Sequence, residues 1–280
     1  MTSESNPERD LYFERLEDFK AILLLGLDLL KKMPAQHDDE IALRYCFSIF
    51  NKILSHGLSL HKIIPSKEPK AGFYWDISSM SALSRCIMEA YDALAYISLH
   101  PITKTEREFR ALLWTANDFD RRLKMFRTFP NYETASATVV PWHAKAVRDL
   151  ENSDFFATLD TNSKKKLLKE LPPFHNSQAD RNKISGISDD YYRMANLMLS
   201  QYVHTYSFAI HHLQDHAPET VAGYRNLNVA LIHSLSFISR AISEITKIYL
   251  PNEKFNTEAE KILSEYLAFS QVAAPKIFTS

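Results

Sequence analysis

The 280-residue chain is long enough for one large domain or two small ones, and either can bury a sizeable core. Its five glycines argue against phosphate-cradling loops and sheets rich in tight turns, since an average chain carries about 7% glycine. With 33 Lys plus Arg against 34 Asp plus Glu, the net charge of −1 removes any global electrostatic case for nucleic acid or an anionic membrane as partner.

The two cysteines, Cys46 and Cys86, sit among apolar helical positions, where small buried thiols are expected rather than a disulfide. Met1 to Asp10 lacks the basic and apolar regions of a secretory signal. The richest apolar run, Ala21 to Leu30, is interrupted by Gly26 and Asp28 and is too short to span a bilayer. A cytoplasmic protein without a membrane partner is the resulting expectation.

In chain order, Leu16, Phe19, Leu23, Leu27 and Leu30 predict an amphipathic helix over about 7–33, stopped by Pro34. A second helix is expected from the acidic turn at 37–40 to about Ile64, weakened in its later half by Gly57. Pro65, Pro69 and Gly72 mark a loop. A third helix is expected over 77–100, with Met80, Leu83, Ile87, Ala90, Leu94 and Ile97 on its apolar face. A fourth covers 104–129, with Phe109, Leu112, Leu113, Ala116, Phe119, Leu123 and Phe126 buried.

Between 130 and 188 prolines interrupt the period, leaving short helical pieces near 142–150 and 163–171. This stretch reads as an insertion or lid within a single domain over 1–280. Lys164, Lys165 and Lys166, inside it, read as a solvated face.

Helical period resumes at Asp189. From Pro218 to Leu250, Tyr224, Asn228, Leu231, Leu235, Ile238, Ile242, Ile245 and Tyr249 recur at steps of four and three. That predicts a spine helix about 50 Å long at ~1.5 Å per residue, starting at Pro218 and stopped by Pro251. Leu227, Ala230, Phe237, Ala241 and Ile248 widen its apolar stripe, which suits burial by several neighbours and suggests a homodimer through any part left exposed. A last helix runs from Asn256 to about Phe269. The fold class expected is an all-α multi-helix bundle around the spine.

Three constellations are candidates for chemistry. On the third helix Arg85, Glu89, Asp92 and Tyr96 form one stripe about 60° wide. On the fourth, Arg110 and Arg121 occupy the polar face. If the two faces meet inside the bundle, the carboxylates demand guanidinium partners, because an unpaired buried charge is too costly. Arg85, Glu89 and His204 are then the candidate catalytic residues, with Asp92, Tyr96, Arg110 and Arg121 binding an anion. If the faces point to water, no site exists.

The third constellation is the histidine run His204, His211, His212, His216 and His233. His212 and His216 have a metal-compatible i, i+4 spacing, yet neither a zinc-protease nor a di-iron motif accompanies them. No metal and no cofactor are assigned, and packing or helix-capping roles are the simpler expectation. Arg225 with His233 departs from the spacing of metal-free helical ribonucleases. No nucleophile elbow, Walker loop or dinucleotide fingerprint occurs.

At Ser84-Arg85-Cys86-Ile87-Met88-Glu89-Ala90, with Tyr96 following, and at Leu199-Ser200-Gln201-Tyr202-Val203-His204, the chain resembles an uncharacterised bacterial family of all-helical proteins of unknown function. The resemblance spans roughly Ile41 to Leu213. It implies bacterial origin, a helical fold and attention to Arg85, Glu89 and His204, without an established activity. Two functions are expected from these readings. One is a binding or regulatory module whose polar groove takes a protein partner or a small anionic ligand. The other is a metal-independent hydrolase or nuclease acting on a phosphate-bearing substrate.

Overall fold

The computed structural model describes residues 6–33, 41–65, 75–130, 132–204, 207–215 and 218–271. The acidic turn at 37–40, Pro69, Gly72, Tyr206, His216 and the tail from 272 lie outside them, as do the side chains of Leu213 and Asp215. No strand occurs among the described residues, so the fold is all-α.

Most helices begin where a short polar side chain can accept from the otherwise unbonded first-turn N–H groups. Asn6 caps α1 (Pro7–Lys32) by accepting from Arg9 N–H, and Lys31 and Lys32 close it at the negative end of its dipole. α2 (Ile41–Ile63) follows. Asp76 caps α3 (Ile77–Leu94), and Thr103 caps α4 (Lys104–Phe126).

The stretch expected to be irregular is largely helical: α5 (Tyr132–Ser136), α6 (Val139–Glu151), α7 (Asp154–Thr158), α8 (Thr161–Glu170) and α9 (Gln178–Ile184). Ser177 and Asp180 close a reciprocal capping box at the start of α9. α10 (Asp189–Val203), α11 (Ser207–Asp215), the spine α12 (Val221–Tyr249) and α13 (Thr257–Phe269) complete the order.

The spine begins three residues later than Pro218 suggests. Thr220 Oγ1 accepts from Gly223 N–H as the cap, and Glu219 holds a left-handed φ of 65° just before it. Along α12 the stripe from Tyr224 to Ile245 is buried, as are the flanking Leu227, Ala230, Phe237 and Ala241. α1, α3 and α13 lie against it, α2 packs on α1 and α3, and α10 packs on α3 and reaches the spine through Tyr191, which bonds His233. The surplus apolar positions of the spine are therefore used within the chain; Val221 and Ile248 are its exposed large hydrophobics.

Gly26 and Gly57 set the approach of α1 to α2. A Cβ on Gly57 would stand 2.5 Å from Leu23 Cδ2, and one on Gly26 would stand 2.6 Å from Leu54 Cδ2. Each helix thus seats a leucine of the other on its own glycine. The helix-propensity cost of Gly57 is offset by close packing that an added Cβ would push against.

A second, smaller apolar cluster joins α4 to α6, α7 and α8 through Phe109, Leu113, Ala116, Leu150, Phe156 and Leu167. Beyond it the α4/α6 pair extends as an arm. Among described side chains from 117 to 145, only Ser136 is buried.

Candidate functional site

The site grows from the end of α3. Ala95–Leu99 continues the helix as a π turn, His100 N–H bonding Ala95 O at 2.8 Å, before Pro101. A helix end leaves carbonyls without intrahelical donors, and two arginines of α4 supply them. Arg107 donates to Ile97 O at 3.3 Å and His100 O at 2.7 Å, and Arg110 donates to Tyr96 O at 2.7 Å. Arg110 is fully buried. Its charge is met by Glu106, which accepts from Nε at 3.1 Å and from Nη2 at 2.5 Å, while the guanidinium lies over the Tyr96 ring at 4.3 Å.

Asp92, one turn before Tyr96, is buried against Arg181 of α9, whose Nε lies 3.0 and 3.1 Å from the two carboxylate oxygens. Side-chain exposure is 7% for Arg181 and 10% for Asp92, so this pair is held away from water. Arg181 also donates to Asn176 O and Gln178 Oε1 and stacks over Phe174 at 4.0 Å. Segment 174–184 therefore fills the space beside α3 that the sequence suggests as a ligand groove.

Two histidines here have assignable protons. An arginine can only donate, so Arg110 Nη1 at 2.9 Å makes His100 Nδ1 an acceptor and puts the proton on Nε2, which donates to Ser185 Oγ at 2.9 Å. Burial first, then Arg110, Arg181 and Arg107, depress its pKa to about 3. Tyr96 Oη accepts from His175 N–H at 3.4 Å and donates to His175 Nδ1 at 2.8 Å, leaving Nε2–H facing Glu106 at 3.7 Å. Burial, followed by Arg110, lowers His175 to about 4. Neither ring offers a free basic nitrogen, so His100 and Ser185 do not form a base–nucleophile pair.

The remaining candidate residues lie apart from this network. Arg85 and Glu89 form an i, i+4 ion pair at 2.8 Å, with side chains 29% and 51% exposed. Burial raises the Tyr192 phenol, and the charges of Asp92, Arg181, Glu89 and Arg85 also act on it, which places this α10 residue beside the stripe. His204, exposed at the C-cap of α10, lies twelve residues further on, about 18 Å along the helix. Arg121 is exposed on the arm and does not share the interior with Arg110. Of the seven candidate residues, Asp92, Tyr96 and Arg110 thus enter one buried polar network.

The histidine run is divided, because α10 ends at Val203 and α11 begins at Ser207; His204 and His211 do not share one helix. His212 stacks on Phe208 with centroids 4.3 Å apart and bonds the Tyr202 hydroxyl at 2.9 Å. His233 is buried against the Tyr191 hydroxyl at 2.8 Å, and burial lowers it to about 4. Among the described residues no group of three or more His, Cys, Asp or Glu is placed to hold a metal ion. Both cysteines are free thiols, and burial raises Cys46 to about 12.

On its other side the network reaches α12. Arg240 donates to Ser270 Oγ at 2.5 Å, Ser185 O at 2.7 Å and Gly186 O at 2.9 Å, and stands 3.6 Å from Glu244. Tyr91 Oη donates to the Glu244 carboxylate, 3.0 and 2.9 Å from its two oxygens. Burial raises the pKa of Glu244. A recess of about 240 Å³ opens here, between the end of the π turn, the end of α9 and α12. Leu99, Pro101, Ile184 and Ile248 form its apolar walls; His100, Ser185, Glu244 and Lys247 are its polar groups.

Arg181, Arg240, Glu244, His100, His175 and Ser185 are absent from the sequence-based candidates. Ser177-x-x-Asp180 does signal the start of α9, but nothing local tells that Arg181 faces Asp92. No helix of the described residues is long and apolar enough to cross a membrane. Comparison with protein-family models, with curated proteins and with solved structures found no match to this chain.

Proposed function

We propose that the protein is a helical binding or regulatory module that docks a protein partner through the α4/α6 arm. The observation that carries this reading is the arm's surface. Met125, Phe129, Val140 and Trp142 are each more than half exposed on a segment that the core does not cover. Exposed large hydrophobics grouped with arginine are the composition expected of an interaction surface.

Charge narrows the partner. Between 117 and 149 there are six Arg or Lys and four Asp or Glu, a balance of +2 against −1 for the whole chain. Arg121 and Arg127 are exposed with no ion-pair partner among the described residues. Arg121 and Met125, four residues apart, share one α4 face, and Phe129 follows in the turn after the helix, toward the arm's end. An acidic segment with an apolar face meets both requirements.

The hydrolase reading has less support. His100 and His175 have their acceptor nitrogens occupied, and Arg110, Arg181 and Arg240 are engaged by Glu106, Asp92 and backbone or serine oxygens, so none waits for a phosphate.

A photo-crosslinking residue at position 142 tests the docking role in cells producing the chain, with position 165 on α8 as an exposed control. One discrete adduct is expected at 142, absent at 165 and lost in Met125→Glu/Phe129→Glu. No adduct, or equal adducts at both positions, removes the proposal.

A further inference from the structure

We infer that the recess between the π turn, α9 and α12 binds a small zwitterion of the aliphatic α-amino-acid class. Three polar groups there have unused capacity, and their types differ. His100 carries its proton on Nε2 and donates it to Ser185 Oγ, so the Ser185 hydroxyl hydrogen is left to donate, and the structure gives it no acceptor among the described residues. Glu244 receives one hydroxyl hydrogen from Tyr91, while Arg240 at 3.6 Å is beyond hydrogen-bond length. A carboxylate accepts at about four positions, so Glu244 has sites to spare. Lys247 is exposed, three residues along α12, with no ion-pair partner among the described residues.

A simple anion meets repulsion from Glu244, and a simple cation leaves Lys247 and Ser185 unused. A ligand with both charges satisfies all three, its ammonium donating to Glu244 and its carboxylate accepting from Lys247 and Ser185. Leu99, Pro101, Ile184 and Ile248 give the rest of the recess an apolar wall, and about 240 Å³ holds a branched aliphatic side chain together with its backbone atoms. Arg240 is fixed by Ser270 and two carbonyls, so it does not compete for the ligand, and Tyr91 holds the Glu244 carboxylate.

Calorimetric titration of the full chain with leucine, 4-methylpentanoate and 3-methylbutylamine tests this, because the last two are leucine without its ammonium and without its carboxylate. Leucine is expected to bind, and each half-ligand to bind about tenfold more weakly or worse, the effect of losing one charge-assisted hydrogen-bonded contact. Ile248→Trp, at an already exposed rim position, is expected to fill the mouth and abolish leucine binding with the fold intact. Glu244→Gln is expected to bring leucine down to the affinity of 4-methylpentanoate. The inference is overturned if leucine does not bind, if Ile248→Trp leaves its binding unchanged, or if either half-ligand binds as tightly as leucine.

Discussion

Arg85 and Glu89 stand on the same stripe of α3 as Asp92 and Tyr96, within eleven residues, yet they live in different solvents. The first two form an ion pair that water reaches on both sides, and such pairs stabilise by only a few tenths of a kcal/mol. Two turns on, Asp92 and Tyr96 are enclosed by α9, α4 and the 174–176 segment, where Asp92 is paired with Arg181 and Glu106 with Arg110. Tyr96 stands in the π turn that continues α3, but the residue types alone do not separate the two halves. What differs is the arrival of Arg181 and His175, from about eighty to ninety residues downstream.

The largest effect expected from breaking this contrast is at Asp92. Asp92→Ala leaves the Arg181 guanidinium buried without its carboxylate and is expected to cost about 3–5 kcal/mol of unfolding free energy. The double variant Asp92→Leu/Arg181→Met should recover most of it, because no uncompensated charge then remains. Urea denaturation of the set measures both, and a double variant no better than the single would show that the pair is not coupled.

Acid should act on the enclosed half next. The unfolded chain protonates its histidines near pH 6.5, whereas folded His175 and His233 wait until about 4 and His100 until about 3. Between those limits the unfolded state holds more protons, so stability falls as pH falls. The slope reaches about 1.4 kcal/mol per pH unit for each histidine. Glu244, raised by burial, works in the opposite sense and offsets part of the loss. Urea midpoints at pH 7 and pH 5 should therefore differ clearly, and His233→Phe should flatten the dependence while lowering stability at pH 7. Equal midpoints at the two pH values would contradict the neutral buried histidines.

A smaller cost is expected at Gly57→Ala, where the new Cβ meets the end of Leu23; overpacking of this kind costs about 1–3 kcal/mol, less where the leucine can turn away. The smallest effects belong to the water-facing side. Arg85→Ala, Glu89→Ala and His204→Ala should each change stability by about 0.5 kcal/mol or less, read from the same urea curves. A loss of several kcal/mol at any of them would mean that this side is not as solvated as its exposure indicates.

The helices were legible where period and caps agreed. Asn256 marks the start of α13 and the spine's stripe identifies its own buried face, whereas the caps Asn6, Thr103 and Ser188 emerge only from the structure. The middle of the chain was less legible. α5, α7 and α9 have only five to seven residues, too short to be stable alone, and their sequence carries little period. α9 instead packs on α10, with Arg181 anchored to Asp92 of α3, and no local pattern encodes those partners. Gly57 looked like a weak point because propensity is a property of one helix, while its role depends on Leu23 of another.

By itself, the sequence determined an all-helical chain, the stripe that makes α12 its spine, and the residue types available for charge pairing. Tertiary structure alone decided which polar side chains left water. Propensity, period and capping act over a few residues, but the free energy of a charge depends on whatever lies within a few ångströms of it. For Asp92 that neighbour is Arg181, 89 positions away.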